Sequence, residues 1–461
     1  MNPLLQTDSY KLTHAQQYPP GTSKIYSYFE SRGGWFKDTV FFGLQPLLAD
    51  IVEQQAEFRR NPEKHLENAQ NFADKHIGKG LFNREGWLHI LKDHGCMYPI
   101  TVKAVPEGTV VGVNNVLMTV ENNCPKCFWL TNWLETQLVR VWYPCTVATL
   151  SREIKKVIRE FLETTGDTAG LDFKLHDFGY RGVSSRESAA MGGAAHLINF
   201  KGTDTLAGIE LLMEHYDADV CGFSIPAAEH STITSWGRSR EAHAYANMLA
   251  TYPTGLVAVV SDSYDIYNAI SNIWGGELKE KVLSRDGCVV IRPDSGAPHE
   301  VVLKTVSLLG DAFGYEYNAK GFKVLCPKVR VIQGDGINYH SIRDILNALK
   351  NAGWSADNVA FGMGGGLLQQ INRDTQRFAF KCSYIEIDGK GQAVSKQPVT
   401  DPGKNSKAGR MVLSPDLGYG FQTITHTDNI VRTDDVLQTV FQNGTVVKRW
   451  SLDDVRGRAA L

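Results

Sequence analysis

Glycines, arginines and aspartates stand in this chain directly after short apolar runs, in the stretches FGYRG, IRPDSG, VIQGDG and FGMGGGLLQQ. The last places four glycines within five positions, at 362, 364, 365 and 366. Glycine lets the backbone come close to a ligand, and a helix N-terminus offers unpaired N–H groups to an anion. Phosphate suits such a loop, although no P-loop Lys-Ser/Thr pair follows and the spacing is not G-x-G-x-x-G. A tight strand-to-helix turn without a ligand uses the same residues. Arg181, Arg292 and Arg373 add charge-assisted bonds, each worth about 1.5–3 kcal/mol to a phosphate. Aspartates can accept from ribose hydroxyls or hold Mg²⁺, which binds through one or two carboxylates plus substrate phosphates. A lone aspartate is as readily a cap or turn residue. Converging, these groups describe a site for a sugar with more than one phosphate.

The loops need a scaffold that brings them together. From about residue 170, the runs FKLHDF, LVAVV, CVVI, VRVI and NVAF each end in Gly, Asp, Arg or Ser and lead into a helical pattern. In SSRESAAMGGAAHLI, Ser184 and Glu187 have capping-box spacing. Strands alternating with helices imply a largely parallel sheet, and spacings of about 30–40 residues suit βα units closing into a barrel. Ligands sit at the C-terminal ends of such strands. That rule gathers Arg181, Asp262, Asp265, Arg292, Asp294, Asp335 and the glycine loop around one mouth. Upstream, FWLTNWLETQLVRVWY and the segment after it have apolar residues at helical spacing. Downstream of Arg373, alternating FAFKCSYIEI, a DG turn and an Asn443-Gly444 hairpin signal indicate antiparallel strands. The expected fold is α/β: an irregular parallel α/β barrel over 151–380, and a second α+β domain formed by 1–150 and the antiparallel segment 381–461.

With 48 basic and 50 acidic residues the net charge is −2, and no Lys/Arg block marks a nucleic-acid or membrane surface. The N-terminus lacks a basic stretch followed by an apolar one, and nowhere do eighteen apolar residues run together, so a soluble cytoplasmic protein is expected. Eight cysteines are scattered, several inside apolar runs, and no disulfide framework is expected. Cys124 and Cys127 form a single C-x-x-C. A structural zinc takes four ligands and no second Cys/His pair is read at suitable spacing, so zinc is not expected there.

Longer motifs decide the class. TDSYKLTH, YSYFE, KLHDFGYRGVSSRES, NFKGTDTLAG, IPAAEHSTITSWG, VVSDSYDIYNA, RDTQRFAFKCSY and DPGKNSKAGR, with the loops above, closely resemble the nicotinamide phosphoribosyltransferase family of type II phosphoribosyltransferases, from about residue 5 to the C-terminus. The resemblance implies transfer of phosphoribosyl from 5-phosphoribosyl 1-pyrophosphate to nicotinamide. Mg²⁺ and coupled ATP hydrolysis are implied too, in a homodimer with shared active sites. It implies that Phe178 stacks on the pyridine and Tyr10 reaches over from the other subunit. Asp204 would accept from the carboxamide NH₂, and an ionised Asp there disfavours a nicotinate carboxylate; a helix N-cap role is equally compatible with its position. His230 would be the phosphorylated histidine. By the same resemblance Arg181, His230 and Arg292 meet pyrophosphate, Asp294, Gly334 and Asp335 the ribose, and Gly365 the 5′-phosphate. Arg373, Lys381, Lys396, Lys404 and Arg32 would gather phosphates, some from the partner; for the lysines a solvated surface charge is the alternative.

Two rival readings remain open: a nicotinate phosphoribosyltransferase, and a non-catalytic mononucleotide-binding dimer. The chain departs from animal members at Ala379, where they have serine, and in a shorter loop after Arg32.

Overall fold

Parallel strands covered on both faces need apolar residues at every position, which is why they read as unbroken apolar runs. In the computed structural model, which describes residues 1–416, 418, 420–426 and 433–461, the five runs become strands β1 (Leu175–Asp177), β3 (Thr254–Val260), β4 (Asp286–Arg292), β5 (Val329–Gln333) and β6 (Val359–Met363), and a short strand outside them, β2 (Gly202–Thr203), is added. They pair in the order β2-β1-β6-β5-β4-β3, parallel throughout. The gap between β2 and β3 is bridged by residues 223–227, which make single parallel bridges Gly202↔Phe223 and Ala227↔Ala258. The bonds include Thr203 N–H to Phe223 O at 3.0 Å and Ala258 N–H to Pro226 O at 2.9 Å. Pro226 has no N–H to give a ladder, so this stave cannot be a regular strand. The barrel is irregular for that reason. Ala258, Val290 and Ile332 form a small buried cluster with Phe178, Ile225 and Ala360 packed against it.

These strands belong to one unit, Leu150–Met213 and Ala218–Ile371 with Leu461; the other comprises Met1–Thr149, Glu214–Asp217 and Asn372–Ala460. The second unit carries a seven-stranded antiparallel sheet. Its order is Lys390–Ala393, Phe378–Ile387, Thr22–Ser31, Val116–Asn122, Ile100–Ala104, Gln438–Gln442 and Thr445–Val446. Three N-terminal strands thus lie between two pairs of C-terminal ones within one sheet. Its two hairpins turn at Asp388-Gly389 (φ 50° and 73°) and Asn443-Gly444 (φ 49° and 89°), the paired positive φ of a type I′ turn. Residues 372–380, expected in the barrel, lie in this unit, where Phe378 pairs with Ser31 and Ala379 with Glu30. The amphipathic run upstream becomes helix Leu130–Leu138 and the longer helix Trp142–Thr165. Trp133 from the first packs edge-on against Trp87 and Tyr98.

One capping expectation is corrected. Helix Arg186–Leu197 starts later than the Ser184/Glu187 spacing indicated: Ser185 is the N-cap, its hydroxyl accepting from the Ser188 N–H at 3.1 Å. Among the described residues no helix is long and apolar enough to cross a membrane.

Candidate active site

The C-terminal ends of the barrel strands bring the expected charged groups together. Arg292 closes β4 and Asp294 follows it, their side chains 3.4 Å apart. Asp262, just after β3, ties this loop to the next. One of its carboxylate oxygens accepts the Asp294 N–H at 3.0 Å and the Ser295 hydroxyl at 2.6 Å. The other lies 3.0 Å from His230 Nε2. A carboxylate can only accept, so Nε2 must carry a proton. The Asp262 side chain is 5% exposed and that of His230 46%, so the imidazole is held from behind and open in front. Burial pushes the Asp294 carboxyl above its usual range; Arg292 opposes the shift and Asp262 and Asp335 add to it. Two carboxylates, an arginine and a histidine therefore act on Asp294 at once. The Arg292 Nε is buried with no hydrogen-bond partner, an orphan donor that an anion would satisfy. Asp335, after β5, is exposed. Asp265 is a cap: its carboxylate accepts from Tyr267 and Asn268 N–H at the start of the short helix Ile266–Asn268.

A ring sits beside this charge cluster. Phe178, directly after β1, is half-buried over the Ala258/Val290/Ile332 cluster, its N–H bonded to Met363 O at 3.1 Å. Glycines stand around it, and at Gly362 nothing larger fits. A Cβ on Gly362 would lie 1.9 Å from Phe178 Cε2, and one on Gly334 would lie 3.2 Å from Asp294 Oδ1 and 3.7 Å from the Phe178 ring. Gly334 therefore joins the ring to the acidic side of the mouth. Asp177 fastens the neighbouring loops: its carboxylate accepts from the Gly179 N–H at 2.7 Å, and its carbonyl from the Asp204 N–H at 2.9 Å. Burial pushes the Asp177 carboxyl up to about 6, against the pull of that Gly179 bond. Asp204 is exposed and accepts from the Ser224 hydroxyl. Helix Leu206–His215 begins two positions later, so Asp204 is not its N-cap. Arg181, on the exposed turn Tyr180–Gly182, has no ion-pair partner among the described residues. A Cβ added to Gly182 would lie 3.7 Å from the Gly365 backbone, so the arginine turn and the glycine loop adjoin.

The other expected phosphate ligands lie on the antiparallel unit. Burial lowers the pKa of the Lys381 ammonium, Glu135 counters this, and Arg32, Lys396 and Arg373 lower it further. These four cations therefore share one neighbourhood. Arg32 also pairs with Glu30 at 2.7 Å and reaches the Lys404 carbonyl at 3.4 Å, while the Lys404 side chain pairs with Asp401. Tyr10 stands 60% exposed on the short helix Ser9–Gln16.

Residues 173–445 match the nicotinate phosphoribosyltransferase (NAPRTase) family, and residues 2–102 match the nicotinamide phosphoribosyltransferase N-terminal domain. A nicotinamide phosphoribosyltransferase from Xanthomonas campestris pv. campestris (strain 8004) is 51% identical over 99% of this chain and 98% of its own. The chain belongs to the nicotinate/nicotinamide phosphoribosyltransferase family. A second phosphoribosyltransferase, the nicotinamide enzyme of Acinetobacter baylyi (strain ATCC 33305 / BD413 / ADP1), is 32% identical over 100% of this chain and 97% of its own. In fold, this phosphoribosyltransferase is similar to nicotinate-nucleotide pyrophosphorylase from Pyrococcus furiosus, with a TM-score of 0.62 at 14% identity, covering 99% of this chain and 94% of that one.

In the sequence of this phosphoribosyltransferase nothing distinguishes Asp262 from Asp265 or sets Asp177 and Gly362 apart. The available signal is the site of each at a strand end. Gly365 permits a clean test of the phosphate reading. It opens the single helical turn Gly365–Leu368, and an added Cβ meets nothing nearer than Gln370 Nε2 at 3.9 Å. Gly365→Ala is therefore expected to leave the melting temperature unchanged and to raise KM for the phosphoribosyl donor several-fold more than KM for the base. The opposite ratio in steady-state kinetics would return the loop to a plain turn.

Proposed function

We propose that this enzyme joins nicotinamide to 5-phosphoribosyl 1-pyrophosphate, releasing pyrophosphate and nicotinamide mononucleotide for NAD synthesis, as a homodimer that hydrolyses ATP through phospho-His230. The observation that carries the transferase reading is the cluster of Arg292, Asp294, Asp262 and His230 one glycine away from the half-buried Phe178 ring. It sets anion-binding and ribose-binding groups next to a surface for a flat heterocycle, where stacking adds about 0.5–1.5 kcal/mol beyond area burial.

Loss of pyrophosphate leaves positive charge on the ribose and negative charge on the departing group. Arg181 and Arg292 neutralise the latter. Asp294 and Asp335 accept from ribose hydroxyls, and the Gly365 loop receives the 5′-phosphate. Phe178, with Tyr10 of a second copy, holds the base in line with C1′, so positioning replaces a strong base. No covalent sugar–enzyme bond is required. Asp294 and Asp335 would offer the carboxylate oxygens that Mg²⁺ takes alongside substrate phosphates, and the ion would supply charge neutralisation on the pyrophosphate. For the ATP step, an Nε2–H fixed on Asp262 leaves the Nδ1 lone pair of His230 to take the terminal phosphoryl group, with ADP departing; water later cleaves the phosphohistidine. Arg32, Arg373, Lys381, Lys396 and Lys404 form a basic patch suited to phosphate groups.

Asp204 supports the amide over the acid, since its exposed carboxylate accepts from an NH₂ and repels a carboxylate. Nicotinate is the second reading, favoured by the family matched over residues 173–445. The test is incubation with Mg²⁺, phosphoribosyl pyrophosphate and either base, with and without ATP. Mononucleotide is expected from nicotinamide, with ATP raising its yield. Bound substrates without product under every condition would mark a mononucleotide-binding dimer. Asp204→Ala is expected to lower kcat/KM for nicotinamide at least tenfold more than for nicotinate, and equal losses would remove Asp204 from selectivity.

A further inference from the structure

The single C-x-x-C does not stand alone. Helix Arg84–His94 carries His89 and its last residue His94, an H-x₄-H pair, and folding places it against the turn Pro125–Cys127 that follows the strand Val116–Asn122. One ligand atom from each of His89, His94, Cys124 and Cys127 lies within 4.8 Å of every other. This corrects the expectation that no second pair stands near the cysteines.

We propose that His89, His94, Cys124 and Cys127 bind one structural Zn²⁺ that pins this helix to the turn. Two thiolates and two imidazoles are a closed Cys₂His₂ set, and both spacings fall within those zinc sites use, C-x₂₋₄-C and H-x₃₋₅-H. Tetrahedral zinc holds its ligand atoms about 3.3–3.8 Å apart, so the group needs shifts of only about 1 Å. His89 Nε2 is already 3.2 Å from Cys124 Sγ. The outer ring nitrogen is committed as well: His89 Nδ1 lies 2.6 Å from the Asp93 carboxylate. A carboxylate on the far nitrogen is the usual partner of a metal-bound histidine, fixing its tautomer and raising its basicity. His94 Nε2 is shut off from solvent with no hydrogen-bond partner, a state that metal coordination would relieve. The Cys124 carbonyl accepts the Cys127 N–H at 2.9 Å and the Asn122 side-chain amide at 2.8 Å, so the turn presenting both sulfurs is fixed. His89 and Asp93 also line an open cavity of ≈ 540 Å³, which gives an ion its way in. The bound ion would brace the contact of Trp87, on the same helix, with Trp129 and Trp133.

Expression of the full chain in zinc-supplemented medium, and purification without a metal-affinity tag or chelator, should give about one zinc per chain by elemental analysis. The double variant Cys124→Ser/Cys127→Ser should hold at least tenfold less, and the control Cys326→Ser should hold as much as the wild type. Wild-type protein reconstituted with Co²⁺ should show the thiolate-to-cobalt charge-transfer band and the intense visible bands of a tetrahedral ion, which settles the matter even where the double variant fails to fold. A wild type with reduced cysteines that binds less than about a tenth of an equivalent, that gives no thiolate–cobalt band, or whose zinc survives in the double variant would overturn the assignment.

Discussion

Gly362→Ala is expected to lower kcat/KM for nicotinamide at least 100-fold while the protein remains folded. Gly362 lies in β6 with no left-handed backbone to strain an alanine, so the whole effect comes from the added methyl. That methyl would sit 1.9 Å from Phe178 Cε2, 2.2 Å from Cδ2 and 2.8 Å from Cζ. The ring cannot sink to escape it, because Ala258, Val290 and Ile332 are buried beneath, and close-packed interiors do not yield by such amounts. It must swing outward into the mouth, over the face where the base is proposed to stack. Two losses then combine: the stacking itself, about 0.5–1.5 kcal/mol, and the space the base occupies. A hundredfold fall corresponds to about 2.7 kcal/mol. In a Phe178→Ala background the same methyl has room, so Gly362→Ala should there cost less than threefold, a coupling that steady-state kinetics on the four proteins measures directly. Independent, additive effects would show that the ring does not form the base-binding face.

The parts of this fold that are legible in the sequence are local ones. β3, β4, β5 and β6 are continuous apolar runs because both faces are covered, and the loops after them carry the arginines and aspartates. Both hairpins of the seven-stranded sheet announce themselves through Asp-Gly and Asn-Gly. The closing stave does not: in GFSIPAAEH only Phe223 and Ile225 alternate before Pro226, and its backbone bonds to β2 and β3 come from tertiary placement. Cross-barrel relations are equally silent. Asp262 and Asp265 both follow β3 in SDSYD, yet one caps a helix while the other turns inward to hold His230 and Asp294. Gly362 reads as part of a phosphate loop, whereas its position serves the ring of Phe178. His89 and His94 carry no signal until the turn bearing Cys124 and Cys127 is brought beside them. Arg373, grouped by charge with Arg181 and Arg292, falls instead in the antiparallel unit beside Lys381.

Asp262→Asn should separate the ATP step from phosphoribosyl transfer. The substitution keeps the shape of the side chain but turns one acceptor oxygen into a donor. Its orientation is not free. The Asp294 N–H and Ser295 hydroxyl both donate to the same carboxylate oxygen, at 3.0 and 2.6 Å, so the amide oxygen must stay there and the NH₂ must take the place that faces His230. An NH₂ facing Nε2 needs a lone pair on that nitrogen, which moves the imidazole proton to Nδ1 and removes the lone pair proposed to accept phosphoryl. Where an Asp→Asn change forces a catalytic histidine into the wrong tautomer, losses of about 10⁴ in kcat are known. A fall of at least 10³ in His230 phosphorylation and in ATP hydrolysis is therefore expected. The bonds that position Asp294 and Ser295 survive, so ATP-independent mononucleotide formation should stay within about threefold of the wild type. Asp262→Ala removes all three bonds and should depress both activities together. Radiolabel from the terminal phosphate of ATP, stable in alkali and lost in acid, reads the first quantity, and mononucleotide formed without ATP reads the second. Phosphorylation of Asp262→Asn at the wild-type rate would mean that Asp262 does not set the His230 tautomer.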